Sequence, residues 1–331
     1  MAIGRSEIDL LRRAGVLPAT GYARAMALVR DGGSWARWAR HALLALGVGH
    51  LLSGIVFFFA YNWAALPAIA KFALLEAGIL AAAGVALWRG ADRPEGASAL
   101  IAATLLVGVL LAVIGQVYPS GAEPWQLFGL WAALALPWTI ASRNAAHWLV
   151  WLVVLHIAAG LYADQVLVAR GRLTVLGAVT CVSLLSLAAL VARELLVHRG
   201  QMWAAARWTR LVPAIVGLGG LALGAGLFLL DGSGGTDLAA PVAFGAAAAA
   251  LGTFYREKRP DLAVLAAVTG FAVLLLIAAA ARVVADRIGF EETETALLSL
   301  AVLVFWSVAI VAGAARLLER LRRTMPADSD G

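Results

Sequence analysis

Ten apolar stretches, each long enough to cross about 30 Å of hydrocarbon, run through this chain at 41–60, 67–88, 97–115, 125–141, 145–163, 172–192, 211–230, 238–255, 260–281 and 296–316. Backbone polar groups inside a bilayer find no water, so such stretches must satisfy their own hydrogen bonds as helices. The expected fold class is therefore all-α: a polytopic transmembrane helical bundle of about ten spans. Composition agrees, because 62% of the 331 residues are hydrophobic and 14% are charged. A soluble domain has roughly 45–50% apolar residues and about 25% charged ones. The 125–141 and 238–255 stretches mark the spans least well, the first being short and bounded by Pro124, the second rich in Ala and Gly.

The net charge of +6 would suggest nucleic acid in a soluble protein, but the basic residues sit between apolar runs, where they set topology, and no nucleic-acid partner follows. On alternate sides of the spans, 21 Arg and Lys fall on one side, four on the other, and Lys71 lies within a span. This imbalance places both termini in the cytoplasm, with the protein in the inner membrane. No apolar segment precedes a small-residue cleavage site, so the start does not read as a signal peptide. Cys181 lies in an apolar run and reads as a small buried hydrophobe; a lone cysteine permits neither an intrachain disulfide nor a cysteine metal cluster.

Residues 1–40 read as a cytoplasmic amphipathic helical hairpin. Ser6-Glu7-Ile8-Asp9 resembles a capping box, Ala14-Gly15 ends the first helix before Pro18, and Tyr22, Met26 and Val29 stripe a second, Arg-rich helix. The simplest reading lays this hairpin on the anionic leaflet; the alternative docks a cytosolic protein on it. The transmembrane domain is expected over 41–316, followed by a cytoplasmic tail at 317–331.

An internal echo links residues 36–54 (ARWARHALLALGVGHLLSG) to 206–224 (ARWTRLVPAIVGLGGLALG), with eight identities in nineteen positions. The implied repeats are 36–141 and 206–316. An offset of six spans makes them parallel, one of the ways transporters are built. Gly47 and Gly54, like Gly217 and Gly224, lie two helical turns apart on one face and invite close helix approach.

An ionisable group at bilayer depth is costly, so each one raises a functional question. His50, Glu76 and His156 fall near the middle of spans and are the leading candidates for binding a substrate or a proton. The competing reading makes them interhelical hydrogen-bonding groups that orient helices. Tyr61, Asn62 and Trp63 after the first span, and Gln116, Tyr118, Glu123 and Trp125 between the third and fourth, suggest an aromatic belt or a solute entrance. Gln116 and Tyr118 join the candidates on the second reading. Glu291, Glu292 and Glu294 read as a charged start to the last helix.

No phosphate loop, HExxH zinc site, nucleophile elbow or dinucleotide fingerprint occurs in a suitable context, so no cofactor or metal is implied. The segment IGQVYPSGAEPWQLFGLWAALALPW at 114–138, with the ARWARHALL entrance to the first span and the N-terminal hairpin, resembles an uncharacterised bacterial family of predicted membrane proteins, DUF2157. Gln116, Tyr118, Trp125, Leu127 and Trp131 carry the likeness, which covers roughly 5–165. The resemblance implies a multi-pass membrane protein and supplies no catalytic residue.

The reading favoured is a permease or transport-related component for a small solute or lipid-linked molecule. A non-enzymatic scaffold or sensor and an intramembrane lipid-modifying enzyme are the alternatives. A transporter should show a polar cavity near midplane, a lipid enzyme a cluster of His and carboxylate at one interface, and a scaffold solid packing.

Overall fold

The computed structural model describes residues 5–30, 63–119, 121–230, 238–288 and 293–324, together with nine single positions between 35 and 57. Expectations at Tyr61, Asn62, Glu291 and Glu292, and most of the 36–54 copy of the repeat, lie outside the described residues. The chain divides into two compact units, 1–71 and 72–331.

In the first unit α1 (Arg5–Arg13) and α2 (Ala19–Arg30) form a hairpin. Tyr22 ties the two helices: its hydroxyl donates to Asp9 Oδ1 at 2.7 Å, and the Arg12 guanidinium lies over its ring at 4.3 Å. Gly15, at φ +72°, turns the chain between them. The described positions between 35 and 57, including Leu43, His50 and Phe57, are helical. Lys71 lies 5.4 Å from the centre of the Trp63 ring, a cation–π contact suited to an interface anchor.

From Ala68 onward the described residues form helices joined by turns and short loops. The elements are α3 (Ala68–Arg89), α4 (Pro94–Val117), α5 (Pro124–Ser142), α6 (Ala145–Tyr162), α7 (Val175–His198), α8 (Arg207–Leu230), α9 (Ala239–Glu257), α10 (Leu262–Arg287) and α11 (Thr293–Thr324). Seven of them are long and apolar enough to cross a membrane, α6 counted with the π-helical turn Ala163–Val168 that continues it. The exceptions are α5 and α9. Each has 19 residues, α5 diluted by Pro124, Gln126 and Thr139, α9 by its Gly residues and its charged end at Arg256-Glu257.

Local chemistry starts and stops these helices. Pro94 and Pro124 occupy first-turn positions, where the missing N–H loses nothing. Asn144 caps α6 by accepting from Ala146 N at 2.8 Å and His147 N at 3.2 Å, directly after Arg143, whose φ of 43° ends α5. That abrupt turn lays α5 and α6 side by side. Thr174 caps α7, and Asp261 caps α10 by accepting from Val264 N at 2.9 Å.

The tightest packing centres on α8, which meets α7, α9 and α10. Leu218, Leu221, Ala222 and Ala225 are buried there with Phe244 of α9. A Cβ on Gly217 would stand 2.6 Å from Leu187, and one on Gly220 would collide with the Ser183 hydroxyl. For Gly47 and Gly54, in the first copy, a Cβ would meet nothing within 4 Å among the described residues. Cys181, expected to be buried, is exposed on α7. Lipid tails are as apolar as a protein core, so an apolar run does not tell a lipid-facing position from a buried one.

Candidate functional site

Two polar clusters join helices of the second unit, and they differ in charge. The first joins α4, α5 and α6. His147 is fully buried, with Nε2 2.8 Å from Thr104 Oγ1 and Nδ1 2.9 Å from Ser142 Oγ. Ser142 donates onward to Thr139 O at 3.0 Å, and Thr139 to Ala135 O at 2.9 Å. Ser142 spends its own proton on Thr139 O, so it accepts from Nδ1–H; in a neutral ring Nε2 then accepts from Thr104 O–H, and both nitrogens are occupied. Beside it, Trp131 donates to Thr104 O at 2.7 Å with its ring against Gly108, where a Cβ would collide with the indole.

The second cluster joins α7, α8, α9 and the start of α10. Glu194 Oε1 accepts from Arg193 at 2.5 Å and from the Tyr255 hydroxyl at 2.8 Å; Oε2 accepts from Arg259 at 2.7 Å. Arg193, 3% exposed, also donates through Nε to Ala204 O at 2.9 Å in the short 3-10 turn before α8. Thr209 donates to the same carbonyl at 2.8 Å. Arg210 pairs with Asp261 at 2.6 Å and lies 5.9 Å from the centre of the fully buried Tyr255 ring. Charges this far from water persist only when paired, and nearly every polar atom here has a partner. Arg210 Nε is the exception in this cluster.

A cleft of about 700 Å³ opens between α7 and α9 against this second cluster. Leu190, Val191, Leu195, Ala250, Leu251 and Phe254 form its walls. Glu194, His198, Tyr255, Lys258 and Arg259 line it as well, all toward the ends of α7 and α9 that carry the Arg-rich 193–210 and 256–261 segments. The arrangement suits a ligand with an apolar chain and a polar head.

The candidates named from sequence lie elsewhere. His156 of α6 has Nδ1 2.7 Å from Leu152 O and Nε2 2.5 Å from Ser186 Oγ on α7. The carbonyl must accept, so Nδ1–H donates to it, and in a neutral ring Nε2 accepts from the Ser186 hydroxyl. A cavity of about 190 Å³ adjoins this pair, with walls that include Leu149, Leu152, Val212 and Pro213. Glu76 is exposed on α3, and no hydrogen bond joins it to His156 among the described residues. His50 is exposed and its Nδ1 donates to Leu46 O at 2.9 Å, one turn back in its own helix. Gln116 is exposed at the end of α4; Tyr118, 61% exposed, stacks on Phe72 at 6.2 Å. Trp125 donates to Glu123 at 2.7 Å and meets Tyr162 edge-on at 5.0 Å, a local interface cluster.

Sequence reasoning missed His147, Glu194, Tyr255, Arg259 and Asp261. The available signal was the chemistry of a Glu just inside an apolar helix end at 194 and an Asp directly after Arg259-Pro260; the meeting of Glu194 with Tyr255 and Arg259, far along the chain, is a product of the fold.

Residues 9–148 match the model of a family described as predicted membrane protein (DUF2157), and the 114–138 segment lies within that stretch. No curated protein and no solved structure matches the chain. The matched stretch includes all of the His147 cluster and none of the cleft.

Proposed function

We propose that this multi-helix membrane protein, which matches DUF2157 over residues 9–148, is a transport-related component that takes up a lipid or lipid-linked molecule in the cleft between α7 and α9. The observation that supports this is the cleft's two-part lining, apolar along its walls and ionisable at one end. Walls this apolar give a free polar solute few hydrogen-bond partners, whereas a lipid chain passes from the bilayer onto them without a desolvation cost. The excess of Arg and Lys on this side supports placing the polar end at the cytoplasmic leaflet of an inner membrane, with about ten spans in all.

Filling the cleft tests the reading. Ala250 lies on its wall and is exposed, so Ala250→Trp adds bulk without displacing a core side chain. Protein extracted gently from lipid nanodiscs should retain lipid, measured by mass spectrometry, and Ala250→Trp should retain much less. The variant should also slow any protein-dependent movement of a fluorescent lipid between leaflets of proteoliposomes. Equal retention by the two proteins would sink the proposal. The solid packing of α8 against α7, α9 and α10 favours a second reading, a scaffold, and equal retention would leave that one standing.

A further inference from the structure

The ionisable residues of the cleft differ in what they have left to offer. Glu194 is saturated, one oxygen taken by Arg193 and Tyr255 and the other by Arg259. Its charge is thereby committed within the protein and is not open to a cationic ligand. Arg259 spends only one terminal nitrogen on Glu194 and its side chain is 30% exposed, so its other N–H donors have no bonded partner among the described residues. Lys258 and His198, both exposed, line the same mouth and show no bond to another side chain among the described residues. A donor-rich, net positive rim thus sits on an apolar cleft, held rigid by a buried ion cluster.

From this we infer that the head group recognised here is a phosphate borne on a lipid, the inference resting on the lipid reading above. A phosphate offers several strong acceptor oxygens and more than one charge to converging donors. Arg259 supplies a planar fork that can grip two of those oxygens, and Lys258 adds a mobile point charge. Glu194 acts as a positioning residue: by fixing Arg259 it keeps the fork at the mouth when no ligand is bound.

The test uses the full chain in phosphatidylcholine nanodiscs doped with a minority of phosphatidic acid or, separately, oleate. Lipid retained after gentle extraction is counted by mass spectrometry. Wild type should enrich phosphatidic acid over both phosphatidylcholine and oleate. Lys258→Gln should cut that enrichment by roughly fivefold, corresponding to about 1 kcal/mol for one cation near a membrane surface, and Lys258→Arg should restore it. Arg199→Gln removes a charge just beyond α7, outside the cleft, and should leave the enrichment unchanged. An equal loss in Arg199→Gln would mean that diffuse surface charge, not the cleft, selects the lipid, and would overturn the inference. So would release of phosphatidic acid by millimolar inorganic phosphate, which assigns the rim to a free anion. Retention of all lipids alike, still lowered by Ala250→Trp, would refute the phosphate inference while leaving the lipid cleft intact. Failure to retain any lipid would refute both.

Discussion

The cluster around His147 and the cluster around Glu194 solve one problem in opposite ways. Each joins several helices of the second unit through buried polar groups. The first uses uncharged donors and acceptors arranged as a chain, Thr104 to His147 to Ser142 to Thr139, and ends on backbone carbonyls. Such a chain is closed: every donor has a destination inside the protein. The second uses full charges from four segments and reaches a cleft where Arg259 keeps spare donors. A neutral closed chain specifies packing, whereas a charged cluster with unspent donors at an open cleft specifies a ligand. Buried polar residues in a membrane bundle are therefore best sorted by what their hydrogen bonds leave over.

The largest effect should come from breaking the charged cluster. Glu194→Leu removes the shared acceptor of Arg193, Arg259 and Tyr255 and strands a guanidinium that is 3% exposed. Removing one partner of a buried pair costs about 3–5 kcal/mol, so folded protein in detergent and its thermal midpoint should both fall sharply. Glu194→Gln retains an acceptor and loses the charge, and should be milder in stability while releasing Arg259 from its position. Its distinguishing readout is lipid preference: phosphatidic acid enrichment should weaken even where the variant remains folded. A stable Glu194→Leu protein would show that the cluster is not the anchor of these helices and would blur the contrast with His147.

A smaller effect is expected at the neutral chain. His147→Leu leaves Thr104 and Ser142 without their shared partner in a fully buried setting, a loss of about 1–3 kcal/mol by the usual cost of an unmade buried hydrogen bond. Stability should drop, yet the lipid retained in the cleft should keep its composition. A change in lipid preference in a folded His147→Leu protein would mean that the two clusters communicate, and the division into packing and ligand would fail.

Hydropathy made most of the architecture legible, because a membrane demands long apolar runs whose ends are marked by charge and proline. The helices α3, α4, α7, α10 and α11 stand over the apolar stretches 67–88, 97–115, 172–192, 260–281 and 296–316, with starts within three residues and C-terminal ends running up to eight residues further. The two weak stretches, 125–141 and 238–255, gave helices of 19 residues that fall outside the seven apolar enough to span. The glycine spacing pointed to close approach, and Gly217 and Gly224 do pack against Leu187 and Ala240. The site was much less legible. Reading polar residues by depth drew attention to His50, Glu76 and His156. The residues that assemble instead cluster at helix ends, where an Arg or Glu in sequence looks like ordinary interfacial charge. Nothing local distinguishes Arg259, which meets Glu194, from Arg256 less than one helical turn earlier; only the approach of α7 tells them apart. His147 was hidden by its place in the first turn of α6, beside the capping Asn144.

Glu76 should give the smallest effect on the cleft and the sharpest test of depth as a guide to function. It stands near the middle of α3, exposed, and no described residue of its unit bonds to its carboxyl. A carboxyl at bilayer depth costs about 2.5–3.5 kcal/mol on insertion scales unless something compensates it. If the cleft alone handles ligand, Glu76→Gln should leave lipid retention and phosphatidic acid enrichment at wild-type levels, because the substitution touches neither cluster. Glu76→Leu then separates two roles. An uncompensated Glu76 should give way to Leu with equal or greater abundance, since the insertion cost disappears. A partnered Glu76 should give less folded protein, because Leu strands whatever donor faces it. We expect the first outcome, since the carboxyl has no bonded neighbour among the described residues. Loss of abundance in Glu76→Leu, together with loss of a proton-linked activity in Glu76→Gln, would restore Glu76 as a site in its own right and make the cleft only one of two places where this bundle meets its ligand.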